Sequence, residues 1–281
     1  MRITVIQMNP GHDRAANIAQ AATLIEAAVA AERPEMVVLP EMWACLGGER
    51  TDKFAQAEYL PAPGSNAETG PAYAFLRDTA RRHGIYLHGG SIGERDPAGS
   101  EERLFNTTLA FDPEGRELAR YRKIHLFDVQ TSDGVGYLES ATYGAGREIV
   151  TYRAGPLTVG CAICYDVRFP ELFLALRRQG ADLIMLPAAF TLLTGKDHWE
   201  TLIRARAIET QCWLAASGTY GRHEEKGEPR FTYGNSLIAD PWGMVVARVS
   251  DGTGWATTRI DTALSARVRQ SMPVLTHRVL A

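Results

Sequence analysis

Apolar and polar positions along this chain change period repeatedly, and each change marks an element. Residues 1–8 alternate as a strand does. Ile18, Ala22, Ile25 and Val29 then recur at helical spacing, which predicts a helix over 14–31. Residues 36–39 form a short apolar run suited to a buried strand, halted by Pro40-Glu41. A loop containing glycine and proline is expected as far as about residue 70, then a helix over 71–83 and a strand over 85–90. Residues 105–111 and 117–124 flank Asp112-Pro113-Glu114-Gly115, whose proline and glycine specify a hairpin turn. From 125 to 146 the pattern is irregular.

The most informative stretch is Val159-Gly160-Cys161-Ala162-Ile163-Cys164-Tyr165-Asp166-Val167-Arg168-Phe169-Pro170-Glu171-Leu172. A strand-like run halts at a thiol, a polar turn follows, and Pro170 suits the first position of a helix. Strands are predicted over 183–186 and 212–217 around a helix over 197–211, and further strands over 236–239, 244–249 and 253–260. Helices alternating with strands, plus hairpins, imply α/β architecture with a mixed sheet system and helices packed outside. Glu41, Lys123 and Cys164 each lie at or just beyond a predicted strand end. Separate strands can bring such residues to one sheet edge, where open α/β sheets place their ligands.

Composition narrows the function. The chain has 281 residues, of which 45% are hydrophobic and 22% charged, an ordinary globular balance. No linker or repeat divides it, so residues 1–281 are expected to be a single domain. A net charge of −3 offers no field for a phosphate backbone, so nucleic acid is not an expected partner. No apolar segment approaches the roughly 18 residues of a membrane span. The opening strand is too short and too alternating for a signal peptide. Four scattered cysteines suggest reduced thiols in the cytoplasm rather than a disulfide framework.

Three chemistries compete. Cys161 and Cys164 form a C-x-x-C pair, but extended chain would hold their Cα atoms roughly 10 Å apart, beyond the roughly 7 Å a disulfide tolerates. Zinc lacks a second such pair, since His83 and His88 stand apart from it. Gly89-Gly90-Ser91-Ile92-Gly93 has the spacing of a serine nucleophile elbow, yet that motif needs a helix next. The Pro97 and Gly99 that follow argue against one, so a glycine turn at a strand end is the better reading. The third chemistry uses Cys164 as a nucleophile. A thiol with a pKa around 8.5 needs a base at neutral pH. Glu41 is a candidate for that base, and Lys123 could hold the charge that develops on a carbonyl oxygen.

Leu39-Pro40-Glu41-Met42-Trp43, Tyr121-Arg122-Lys123-Ile124-His125-Leu126-Phe127-Asp128 and the Cys164 block, in that order, resemble the nitrilase superfamily of carbon–nitrogen hydrolases. The resemblance implies a four-layer α-β-β-α sandwich, usually a homodimer or larger homo-oligomer. It implies Cys164 as nucleophile, Glu41 as general base, Lys123 as proton donor and oxyanion partner, and Glu139 as a second, orienting glutamate. It calls for neither metal nor organic cofactor. Asp197-His198-Trp199-Glu200, the segment 204–211 and Asp240-Pro241-Trp242-Gly243 look like the Nit branch. That likeness implies a small-molecule substrate, the amide of a 2-oxo acid. Gly221-Arg222-His223-Glu224-Glu225-Lys226 narrows it to the 2-oxo analogue of glutathione, with 2-oxoglutaramate as the alternative.

By the same resemblance Arg168 would clamp the substrate carboxylate, Tyr165 would offer its backbone N–H, and Phe190 and Thr191 would form the pocket wall. The chain departs from the branch at Asn235, where histidine is common, and in a longer 224–230 loop; both bear on the leaving group. A carbamoyl-amide hydrolase, a true nitrilase and a catalytically silent scaffold of the same fold are the remaining alternatives.

Overall fold

From strand Arg2–Gln7, Ile3 and Val5 project into one core and Ile6 into another, all fully buried. The same division recurs in strand Met36–Val38, where Met36 and Val38 face one way and Val37 the other. Period-2 geometry with both faces apolar requires a sheet covered on each side. The computed structural model describes residues 1–62, 64–65, 67–99, 102–131 and 134–279, and in it two such sheets stack.

The first sheet has eight strands. Gly254–Arg259, Arg2–Gln7, Met36–Val38, Tyr86–His88, Leu104–Phe111 and Ile92–Arg95 lie side by side in that order. Glu117–Arg122 and Tyr143–Gly144 also pair with Leu104–Phe111. The second sheet runs Thr151–Ala154, Leu157–Cys161, Leu183–Ala188, Trp213–Gly218, Leu237–Ala239 and Val245–Arg248. Helices Arg14–Glu32 and Pro71–His83 cover the outer face of the first sheet through Ile25, Ala28 and Leu76. Pro170–Arg178 and Leu192–Thr210 cover the second through Phe173, Leu176 and Ile203. Ile3, Val5, Val159 and Met185 share the core between the sheets, while Gly160 and its partner Ile184 face the helices. The result is the four-layer α-β-β-α sandwich.

Several boundaries differ from the sequence reading. The strand before the thiol stops at Cys161, where its pairing with Met185 ends, and Cys164–Arg168 is a 3-10 turn. The helix expected at 197 begins at Leu192, because Gly195 weakens the apparent helical signal there. Glycine is needed at that point: a Cβ on Gly195 would lie 2.3 Å from that of Tyr233. Strand Ile92–Arg95, helix Arg50–Gln56 and helix Thr262–Ser271 went unpredicted. So did hairpin Tyr220–Glu225/Glu228–Tyr233, whose first strand runs polar from Arg222 to Glu225 and shows no alternation. The irregular stretch holds a second small hairpin, Asp128–Gln130 with Gly136–Leu138.

Candidate active site

Glu41 lies just past strand Met36–Val38, Lys123 directly follows Glu117–Arg122, and Cys164 stands three residues beyond Leu157–Cys161. Stacking the two sheets brings these strand ends together. Lys123 Nζ donates to Glu41 Oε1 at 2.9 Å and to Glu139 Oε2 at 2.9 Å. Glu139 opens a 3-10 turn and is fixed by the Phe127 amide, which donates to its Oε2 at 2.7 Å. The Ala189 amide donates to Glu41 Oε2 at 2.7 Å. Glu41, Lys123 and Cys164 are all buried. Sequence reasoning missed Asn106, whose Nδ2 donates to Glu41 Oε1 at 2.8 Å and to Glu139 Oε1 at 3.3 Å. A lone amide in an apolar strand was the available signal, since buried polar groups need partners.

The backbone at the thiol is unusual. Cys164 has φ +46°, and Met42, next to Glu41, has φ +50°. Non-glycine residues hold this conformation only where their surroundings fix it. Asp166, fully buried, fixes the Cys164 turn by accepting from Ile163 N at 2.8 Å, Tyr121 Oη at 2.7 Å and His125 N at 3.1 Å, with His125 Nδ1 at 2.7 Å. Ser91 fixes Met42 by accepting from its amide at 2.9 Å. The serine of the Gly-x-Ser-x-Gly segment therefore props the loop that carries Glu41. A Cβ on neighbouring Gly90 (φ +58°) would lie 2.0 Å from the Pro40 carbonyl oxygen, so glycine is required there.

Burial pushes the Cys164 thiol well above its usual range, and the Glu41 charge and hydrogen bond raise it further. Lys123 and the Ala189 amide oppose them. Cys164 therefore rests as a thiol against a carboxylate. Burial alone would lower Lys123, but the carboxylates of Glu139 and Glu41 hold its ammonium well above the ordinary lysine value. An acceptor, a donor and a thiol thus share one buried site, where electrostatic effects are strong.

These residues line a cavity of about 330 Å³. Tyr165, Phe190 and Thr191 line it too. Arg168 does not: its guanidinium lies 5.2 Å from the Phe190 ring centroid, behind the wall, within 3.3 Å of His198 Nδ1. Besides Lys123, the lysines and arginines along the cavity are Arg50, Lys53, Lys226 and Arg230, on a helix and a hairpin absent from the predicted set. Cys161 is sealed in the core, and burial raises its thiol. Asn235 takes φ +51°, a conformation asparagine tolerates better than most residues. Among the described residues no group of three or more His, Cys, Asp or Glu is placed to hold a metal, and no helix is long and apolar enough to cross a membrane.

A family model described as carbon-nitrogen hydrolase matches residues 2–270. A Synechocystis protein named deaminated glutathione amidase is 41% identical over 276 residues, which span 98% of this chain and 96% of that protein. The crystal structure of the Caenorhabditis elegans NitFhit protein covers 99% of this chain and 65% of its own, at 36% identity and TM-score 0.85. That of Saccharomyces cerevisiae Nit3, titled a member of branch 10 of the nitrilase superfamily, covers 100% and 97% at 29% identity and TM-score 0.86.

Proposed function

This chain belongs to the carbon–nitrogen hydrolase family, a hydrolase acting on C–N bonds, and from that premise we propose that it is a thiol amidase working through a thioester on Cys164. The observation that carries this reading is the Cys164 thiol set against Glu41, whose other partners are Lys123, Asn106 and the Ala189 amide. Glu41 takes the thiol proton as sulfur attacks the amide carbonyl. Lys123 and the Tyr165 N–H stabilise the oxyanion; the opening N–H groups of a helical turn have no partner within it. Protonated Glu41 returns the proton to the departing amine and the C–N bond breaks, leaving the acyl group on sulfur. Ionised again, Glu41 activates water, which releases the acid and restores the thiol. Glu139 keeps Lys123 charged and aimed.

The substrate we propose is deaminated glutathione, cleaved to 2-oxoglutarate and cysteinylglycine. The near full-length likeness to a protein bearing that substrate's name supports it. The second reading is an omega-amidase acting on 2-oxoglutaramate. Initial rates on both substrates, with Cys164→Ala as blank, separate the two. A large preference for the tripeptide analogue supports the first, preference for 2-oxoglutaramate the second, and turnover of neither removes both. A cytoplasmic setting fits the four free cysteines. A homo-oligomer fits the exposed Ile208, Trp242 and Met244.

A further inference from the structure

The Glu41–Lys123–Glu139–Cys164 cluster accounts only for the floor of the cavity. Its rim is built by hairpin Tyr220–Glu225/Glu228–Tyr233 and by the chain around helix Arg50–Gln56. The two are joined: the Gly48 amide donates to the Glu224 carbonyl at 2.7 Å, and Lys53 Nζ pairs with Glu225 Oε1 at 2.5 Å. The rim charges are lopsided. Arg50, Lys53, Lys226 and Arg230 face the cavity with Glu225, which Lys53 already engages. Among the described residues no carboxylate lies within ion-pair distance of Arg230 or Lys226. The Arg230 guanidinium instead sits 5.8 Å from the Tyr137 ring centroid, with its Nε buried and without a hydrogen-bond partner.

A second orphan stands between rim and floor. Tyr143 is 5% exposed, lines the cavity, and its hydroxyl has no partner. The charges of Glu139 and Glu41 on the floor and of Glu225 on the rim all bear on it. Buried polar groups are normally satisfied, so Arg230 Nε and Tyr143 Oη, which together with Asn106 Oδ1 on the floor stand without partners along one cavity, point to a ligand that completes them. An unpaired guanidinium beside a free ammonium selects a carboxylate, and a phenol hydroxyl suits a peptide group.

We propose that this rim is a leaving-group subsite for a peptide-like amine ending in a carboxylate, with Tyr143 meeting its peptide group and Arg230 and Lys226 its carboxylate. The inference rests on the amidase reading and deepens it. When the acyl–nitrogen bond breaks, the acyl group stays on Cys164 and the amine departs along the rim. Cysteinylglycine carries such a carboxylate, whereas 2-oxoglutaramate releases only ammonia.

The test compares deaminated glutathione with its C-terminal carboxamide on the wild-type enzyme and on Arg230→Gln. The wild type should favour the acid about tenfold in kcat/KM, mostly through KM, and Arg230→Gln should bring that ratio close to one. A wild-type ratio of one, or a ratio that survives Arg230→Gln, overturns the assignment. Tyr143→Phe should lower kcat/KM for the carboxamide severalfold relative to 2-oxoglutaramate; an unaltered ratio removes Tyr143 from the subsite. If the wild type hydrolyses neither peptide amide, the proposed substrate is wrong. Calorimetric binding of the same pair to Cys164→Ala then decides the rim separately: tighter binding of the acid upholds it, and equal affinity overturns it.

Discussion

Two buried carboxylates flank the Cys164 turn, and both are fully engaged, yet they do different things. Asp166 accepts from Ile163 N, Tyr121 Oη and the backbone N of His125, with the His125 ring Nδ1 beside it, and it does not line the cavity. Glu41 accepts from Lys123, Asn106 and the Ala189 amide, and it does line the cavity, against the Cys164 thiol. Asp166 is bonded to groups that hold a backbone turn in place. Glu41 is bonded to a group that can give up a proton. Burial and saturation alone do not separate an anchor from the base we propose; what differs is the partner and access to the cavity.

Substitutions that keep shape and remove charge sharpen this contrast. Glu41→Gln should lower kcat/KM by about 10³-fold, within the range for losing a positioned base, while melting temperature changes little; steady-state kinetics beside a thermal melt reads both. Asp166→Asn should reverse the balance. An amide group replaces one acceptor oxygen, so Tyr121 Oη with Ile163 N, or the His125 nitrogens, lose their acceptor. The cost is about 1–3 kcal/mol of folding stability for an unsatisfied buried group, visible by denaturant titration. Its activity should fall by less than that of Glu41→Gln; an equal fall would erase the distinction.

A smaller effect comes from a third buried titratable group, one the chemistry does not use. His88 is fully buried, with Nδ1 3.1 Å from Tyr152 Oη and Nε2 without a partner. Burial lowers its pKa from 6.5 to about 3. Between those values the unfolded chain binds a proton that the folded chain refuses, so stability falls as pH falls. The slope is about 1.4 kcal/mol per pH unit below 6.5. His88→Leu should remove that contribution, seen as a shallower loss of stability between pH 6.5 and 5. An unchanged slope would show that other groups govern the acid limb.

The sequence made the floor of the cavity legible and left its rim obscure. Glu41 and Cys164 stand just past apolar strands, where the break in period marks them, Lys123 follows the alternating strand Glu117–Arg122, and the sheets bring the three together. Helices 14–32 and 71–83 were equally plain, the second opening on proline. The rim hairpin is different. In its first strand Tyr220, Arg222 and Glu224 give no apolar face, and the only period signal was the short alternation of Glu228, Arg230 and Thr232 with Pro229, Phe231 and Tyr233 in the second. Arg230 and Lys226 thus read as loop charges, and the anion-binding role fell to Arg168, which sits behind Phe190 outside the cavity. Asn106 and Tyr143 lie on strands whose pairing fixes where they point, and that pairing is long-range.

In the mechanism we propose, Cys164 carries the acyl group while Glu41 moves its proton. The most direct measurement is peptide mass mapping of enzyme quenched in acid during turnover of deaminated glutathione. An acyl adduct on the peptide holding Cys164, absent after full hydrolysis and absent from Cys164→Ala, is the predicted result. Full turnover by Cys164→Ala, with no adduct at any stage, would contradict it.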